Sequence, residues 1–138
     1  MDIVFELNKV SNSLMIGISV LVQFIIYPSF KNPDFKNFTS FHLSYSNKMF
    51  CIVAPIMITE LFSSLILTYK NPSKTYLISL FFLLLIWLLT FLFIVPIHNF
   101  LSTTHSKKKV QRIIRLNCLR TFFWLIKYLI IVLWKEQF

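Results

Sequence analysis

Residues 75–99 read TYLISLFFLLLIWLLTFLFIVPIHN, and this stretch decides the class of the fold. It contains no Asp, Glu, Lys or Arg, and most of its side chains are Leu, Ile or Phe. A transmembrane helix needs roughly 20 mainly apolar residues to cross the hydrocarbon core of a bilayer. The stretch therefore predicts a helix that spans a membrane.

Three further apolar runs surround this stretch, and the sequence predicts spans over about 8–27, 49–69, 75–99 and 113–134. The chain is 57% hydrophobic and only 14% charged, with a mean hydropathy of +0.71. This composition excludes an ordinary soluble domain, which would expose large apolar patches to water. The fold class is all-α: residues 1–138 form a single membrane domain, a four transmembrane helix bundle with antiparallel neighbours.

The segment between the first two predicted spans also has a helical pattern. Asn32 and Pro33 resemble a helix cap followed by proline at the first helical position. Apolar and aromatic residues then recur at helical spacing among lysines and serines, which predicts an amphipathic lead-in over 33–48. Within the spans, Pro55 and Pro96 each remove a backbone hydrogen bond and permit a kink.

The charge distribution points to a lipid partner. The net charge is +9, but the basic residues lie between the apolar runs, so we expect contact with lipid and no nucleic-acid partner. A cluster formed by Lys107–Lys109, Arg112 and Arg115 is typical of a juxtamembrane patch that attracts anionic head groups. The two cysteines, Cys51 and Cys118, have neither disulfide-framework nor zinc-ribbon spacing, and we expect reduced, buried thiols.

The topology follows from counting basic residues near the ends of the spans, since these residues are retained on the cytoplasmic side. The first and third connections share one side of the membrane and carry eight Lys and Arg, whereas the termini and the second connection carry four. The sequence therefore predicts that both termini lie outside. An Ile-, Lys-, Asn- and Phe-rich composition also indicates a bacterial source, and so the inner (cell) membrane.

Three charged side chains lie inside the predicted spans. A charge in hydrocarbon costs on the order of 3 kcal/mol even on lenient insertion scales, so it normally faces a partner or water. Glu60 has two bases at similar depth, Arg120 and Lys127. We favour Arg120 as its partner, because a guanidinium can hold a carboxylate with two parallel hydrogen bonds.

Each predicted span also has one polar stripe at helical spacing. These stripes predict an intramembrane pocket that opens on the side of the first and third connections, with Glu60 beneath it. Tyr27, Trp87 and Trp124 would wall its apolar part. The candidate residues are Gln23, Tyr27, His42, Tyr45, His98, Asn99, Asn117, Arg120 and Trp124, together with Glu60.

Several structural or chemical alternatives remain for these residues. Polar side chains such as Gln23 and Asn117 also serve as interhelical hydrogen bonds in membrane bundles. His42 and His98 with Glu60 would be a two-histidine, one-carboxylate metal set, and the two histidines alone would be haem ligands. Neither arrangement is favoured, so no metal ligand is assigned and the cofactor is unknown.

Several segments carry a resemblance to a family that has no assigned function. The chain resembles a group of small four-helix bacterial integral-membrane proteins, and it is more distantly similar to the anthrone-oxygenase-like membrane family. The distant similarity implies roles for Pro96, Asn99, Leu101 and Arg120. The segments that carry the resemblance are QFIIYPSF from Gln23, Phe41-His42, Tyr45-Ser46, Pro55, Glu60, VPIHNFL from Val95, and NCLRTFFW from Asn117.

Two classes of function remain open on the sequence. In the first, the pocket binds a small hydrophobic or amphipathic ligand, with oxygenase-like or redox chemistry; His98 or His42 exchanges a proton, Arg120 holds an anionic oxygen and Glu60 orients Arg120. In the second, the chain is a non-enzymatic module, either an accessory subunit of a membrane complex or a small proton-coupled transporter that forms a homo-oligomer. Glu60 is then a proton-coupled site or a contact to a partner.

Overall fold

A computed structural model describes residues 2–31 and 37–135, and nearly all of them are helical. Four helical segments are long and apolar enough to cross a membrane. The described residues contain no strand, and the predicted all-α four-helix architecture is confirmed. The segments, named span 1 to span 4, are Ile3–Ser29, Phe38–Lys70, Lys74–Leu101 and Lys107–Trp134.

Short connections reverse the chain between neighbouring spans. Between spans 2 and 3 only residues 71–73 are non-helical, and the Ser73 hydroxyl accepts a hydrogen bond from the Tyr76 amide at the start of the next helix. Span 1 packs against spans 2 and 4, and span 3 packs against spans 2 and 4. We call the side with the first and third connections side A, and the side with both termini and the second connection side B.

The lead-in to span 2 is continuous with that span. The helix begins at Phe38 and runs without interruption to Lys70. Its first turns bury Phe38 and His42 and expose Phe41, as an amphipathic helix should. The predicted cap at Asn32 and Pro33 lies outside the described residues, as does the rest of 32–36.

Two π-helical segments interrupt spans 1 and 3. They cover Val22–Ile26 and Thr90–Ile94, and each ends two residues before a proline, Pro28 or Pro96. A proline cannot donate to the carbonyl four residues earlier, so the helix widens locally instead of keeping its regular ladder. Pro55 and Pro96 were both predicted to permit a kink. Before Pro96 the structure has a wider, π-helical turn, whereas Pro55 lies within an unbroken α-helix.

The core consists of three apolar clusters stacked between the two sides. The cluster near side A surrounds Phe30 and Ile113, the middle cluster includes Met57 and Trp124, and the cluster near side B joins Phe5 to Ile131. Buried polar side chains lie between these clusters. The bundle therefore has polar layers at separate depths.

Large apolar side chains cover the outside of the bundle. Phe24 is 75% exposed and Phe50 is 67% exposed, which is favourable only where the surroundings are hydrocarbon. Cys51 and Cys118 are free thiols that also lie on this exposed surface. The prediction that both thiols are buried is wrong, because in a thin bundle most residues of each span face outward.

Spin labels on the two cysteines should report contact with lipid. In nanodiscs, nitroxides on Cys51 in C118S and on Cys118 in C51S should collide more with oxygen than with a water-soluble nickel chelate. A label on T103C, in the exposed third connection, is the control and should show the reverse. Equal access of the chelate to Cys118 and T103C would contradict the membrane-spanning assignment.

Candidate functional site

A cavity of about 450 Å³ lies between spans 2 and 3. This volume is within the range of small-molecule binding sites. Its residues come from all four spans, and they include three exposed apolar side chains, Phe50, Ile58 and Phe91. Because these three side chains belong to the lipid-facing surface, the cavity opens toward the bilayer.

Arg120 supplies a positive charge at the deep end of this cavity. It comes from span 4 and is only 8% exposed. Its Nη1 donates to Thr90 Oγ1 at 3.2 Å and its Nη2 donates to Asn117 Oδ1 at 2.7 Å. Both acceptors are neutral, and no carboxylate among the described residues forms an ion pair with Arg120.

Three buried polar atoms of the cavity have no hydrogen-bond partner. Within residues 2–31 and 37–135, four buried side-chain nitrogen or oxygen atoms are unpaired, and three belong to cavity-lining residues. These are Ser46 Oγ, Trp87 Nε1 and Arg120 Nε. The two nitrogens are donors only, and the hydroxyl can donate. Three residues that line the cavity therefore carry buried donors with no partner among the described residues.

A polar network holds Arg120 in position. Asn117 Nδ2 donates to the Ser19 carbonyl at 3.2 Å and to Gln23 Oε1 at 2.9 Å, which turns Asn117 Oδ1 toward the guanidinium. Ser19 also bonds to Thr121. Gln23 and Asn117 do not line the cavity. They lie at the contact between spans 1 and 4, where Gln23 holds Asn117 and Asn117 holds Arg120.

Two histidines form a chain of hydrogen bonds at the side A end of the cavity. Tyr27 Oη lies 2.8 Å from His98 Nε2, and His98 Nδ1 lies 2.9 Å from His42 Nε2. His42 Nδ1 then lies 2.9 Å from Ser102 Oγ. Tyr27 and His98 line the cavity, whereas His42 does not.

Glu60 lies apart from the cavity and is paired with Lys127. Its Oε1 accepts from Lys127 Nζ at 2.8 Å, its Oε2 accepts from Trp124 Nε1 at 3.1 Å, and both charged side chains are fully buried. Lys127 Nζ also donates to Asn12 at 3.1 Å and to Asn8 at 3.5 Å. The ammonium thus has three acceptors for its three protons.

The prediction that Glu60 pairs with Arg120 is wrong, and the depth of the residues gives the reason. Glu60 lies ten residues before Lys70, Lys127 lies eight residues before Lys135, and Arg120 lies fifteen before Lys135. At about 1.5 Å per residue, Lys127 matches the depth of Glu60 measured from side B, whereas Arg120 is roughly 7 Å nearer to side A. Glu60 therefore does not pair directly with Arg120.

The remaining predicted residues are distributed over both sites. Tyr45 and the exposed Asn99 line the cavity near side A. Trp124 lies between the two sites, because its ring packs under the Arg120 guanidinium at 5.2 Å while its Nε1 binds Glu60. Among the residues that the structure describes, no group of three His, Cys, Asp or Glu could hold a metal ion, since Glu60 is far from the histidine pair.

The sequence did not predict a role for three contributing residues, one of which, Ser46, appears only in a segment that carries the family resemblance. Asn8 donates to the hydroxyls of Ser63 and Ser64, at 2.9 and 2.7 Å. Its position four residues before Asn12 is a helical signal that could have identified it. Ser102 similarly lies four residues after His98. Ser46 has no comparable signal, because serine is frequent in the lead-in to span 2.

Removing Glu60 should destabilise the bundle by leaving Lys127 as an unpaired buried charge. We expect E60L to lower the free energy of unfolding by about 3–5 kcal/mol, and the double variant E60L/K127L to recover part of this loss. Thermal unfolding in a mild detergent measures both effects. E6L, which breaks the exposed pair between Glu6 and Lys9, is the control and should cost far less. A double variant no more stable than E60L would contradict the pairing.

Comparisons with protein-family models, with curated proteins and with solved structures find no match to this chain. The features of this chain that bear on its function are therefore the cavity, the buried Arg120 and the histidine chain.

Proposed function

We propose that this integral-membrane protein binds a small amphipathic ligand with an anionic oxygen head group in the cavity between spans 2 and 3. One observation carries the proposal. Arg120 is buried at the cavity without a carboxylate partner in the described part of the chain, and its Nε has no hydrogen-bond partner. The head group would provide the missing negative charge and the missing acceptor.

The energetics of charge in hydrocarbon support an anionic ligand. A buried guanidinium that is held only by neutral acceptors is costly in a membrane, and such residues normally mark a substrate or ion site. Lys127 avoids this cost because it is paired with Glu60. The partners of Arg120, namely Thr90, Asn117 and the nearby Tyr27 hydroxyl, are all neutral, so an oxyanion such as a carboxylate, sulfate or phenolate would be bound by charge-assisted hydrogen bonds.

The lining and the opening of the cavity support an amphipathic ligand. Apart from the polar groups, the walls consist of apolar side chains such as Met49, Val53 and Ile94. The side between spans 2 and 3 is bordered by the exposed Phe50 and Phe91. A molecule with an alkyl or aromatic tail would enter from the bilayer, with its head group toward Arg120.

Oxygenase-like or redox chemistry on such a ligand is the enzymatic form of this proposal. Its support is the distant similarity to the anthrone-oxygenase-like family and the presence of His98 beside the cavity. The alternative, an accessory subunit or a transporter coupled through Glu60, has less support because both carboxylate oxygens of Glu60 are already bonded. Glu60 is also fully buried, so it offers no surface to a partner subunit.

We further propose a bacterial inner (cell) membrane location with both termini outside. The eight basic residues of the first and third connections, against four on the other side, support side A as the cytoplasmic side. The Arg120 end of the cavity then lies near the bilayer centre, and its histidine end lies toward the cytoplasm.

Photolabelling should test ligand binding and the role of Arg120 together. In nanodiscs of zwitterionic lipid, a diazirine analogue of dodecanoic acid should label cavity residues, and unlabelled dodecanoate should compete better than dodecanol. R120Q should weaken labelling at least about tenfold, since a charged hydrogen bond is worth about 1.5–3 kcal/mol. R115Q removes an exposed arginine of the same span and should label like the wild type. Equal labelling of R120Q and the wild type would overturn the proposal.

An internal counter-ion should displace the ligand without removing Arg120. Thr90 Oγ1 accepts a hydrogen bond from Arg120, so T90D places a carboxylate beside the guanidinium. We expect T90D to lose competable labelling and to melt at a higher temperature than the neutral control T90N. If T90D binds the dodecanoate probe as well as T90N does, Arg120 does not recognise the head group.

A further inference from the structure

The hydrogen-bonded chain through the two histidines connects the cavity with side A. Its first members, Tyr27 and His98, line the cavity. Its last member, Ser102, lies at the end of span 3 and is half-buried, next to the exposed Thr103 and Thr104. His42, in the middle, is fully buried. The chain is therefore a continuous polar path from the ligand cavity to the membrane surface.

The hydroxyl of Ser102 determines the direction of the whole chain. Ser102 Oγ has one proton, which it donates to the His98 carbonyl at 3.0 Å. Ser102 Oγ must then accept from His42 Nδ1–H, so His42 Nε2 accepts from His98 Nδ1–H. His98 Nε2 in turn accepts from the Tyr27 hydroxyl. Every donor in the chain points from the cavity toward side A.

Aromatic side chains insulate this path from the lipid. Phe30 and Phe38 pack against the His42 ring at centroid distances of 5.3 and 5.7 Å. The planes of the two histidine rings are inclined by only 23°, and their centroids are 5.1 Å apart, as in an edge-to-edge contact. A ring nitrogen of one is thus directed at a ring nitrogen of the other, with no place for water between them at 2.9 Å.

Among residues 2–31 and 37–135, ionisable side chains near the path lie on the cavity side and on side A. Arg120 and Tyr45 line the same cavity as Tyr27 and His98. His105, from the third connection, bonds to the Phe30 carbonyl at 2.9 Å and packs edge-on against Phe38. Within the described residues no carboxylate forms an ion pair with either histidine of the path. Its histidines therefore act as a neutral pair.

We propose that Tyr27, His98, His42 and Ser102 form a proton relay that carries the proton of a weakly acidic amphipathic ligand from the cavity to side A. The proposal deepens the proposed function and rests on it: the acid enters from the bilayer in its neutral form and is bound by Arg120 as the anion.

The proton steps balance without any other reactant. The ligand O–H gives its proton to Tyr27 Oη as Tyr27 gives its own to His98 Nε2. His98 gives the proton on Nδ1 to His42 Nε2, and His42 gives the proton on Nδ1 to Ser102 Oγ. Ser102 releases one proton to water at side A. Both rings end neutral with the opposite tautomer, and the reverse transfer on ligand release restores them.

A pH-jump experiment tests the relay on the bound ligand. The probe is 2-nitro-4-octylphenol, a weak acid whose visible absorption reports its protonation, bound to the protein in nanodiscs. The absorbance of the bound probe is the part of the signal that is lost when excess dodecanoate is added. H42F removes the middle of the path without altering the cavity lining, and we expect proton exchange of the bound probe to slow at least about tenfold. H105F, which removes a histidine outside the path, should leave the rate unchanged.

The outcomes separate this proposal from the proposed function. If no displaceable probe binds to the wild type, the proposed function fails. If the probe binds and H42F exchanges its proton as fast as the wild type, the relay is overturned while ligand binding stands. A general disturbance of the fold would slow H105F as well, and this result would also count against the relay.

Nitrogen-15 NMR of the three histidines tests the path independently of any ligand. His42 and His98 should both be neutral with the proton on Nδ1, and a scalar coupling should cross the hydrogen bond between His98 Nδ1 and His42 Nε2. In S102A the acceptor for His42 Nδ1–H is lost, so both tautomers should reverse together, whereas T103A should leave them unchanged. Independent tautomers, or a cationic ring in the wild type, would overturn the relay.

Discussion

The cost of an unpaired charge in hydrocarbon is the constraint on which this structure depends. Lys127 satisfies it completely, because Glu60, Asn12 and Asn8 accept its three protons, and this closed site connects spans 1, 2 and 4. Arg120 satisfies it only in part, because its partners Thr90, Asn117 and Tyr27 are all neutral. The difference separates a structural ion pair from a binding group, although both side chains come from the same face of span 4.

Different polar layers of the bundle have different roles, one in stability and the other in ligand binding. The ion pair near side B holds the spans together, and the middle cluster around Met57 and Trp124 separates it from the cavity. The π-helical segments then widen spans 1 and 3 on the side A half, where Tyr27, Thr90 and His98 belong to the site. Stability and ligand recognition are thus assigned to different depths of the membrane.

Much of this architecture could be read from residue types and spacing. The apolar runs specified four helices, and the helical stripe through Asn117, Arg120, Trp124 and Lys127 identified the buried face of span 4. The sequence did not decide between two possible partners of one side chain, since Arg120 and Lys127 were both candidates for the ion pair with Glu60. Its true partner follows from the depth of each residue, which depends on where the helices begin, and the lead-in to span 2 shifts that depth. The buried cysteines were mispredicted because residue type alone does not distinguish lipid from protein contact.

The sequence by itself determined the membrane-spanning class, the number of helices and the identity of the buried charges, because hydropathy and helical periodicity are local properties of the chain. Only the tertiary structure decided that Glu60 binds Lys127, that Arg120 faces a cavity without a carboxylate partner in the described residues, and that Tyr27, His98, His42 and Ser102 meet in one path. These relations join residues on different spans, and the rotation and depth of each helix, which set them, result from the packing of all four.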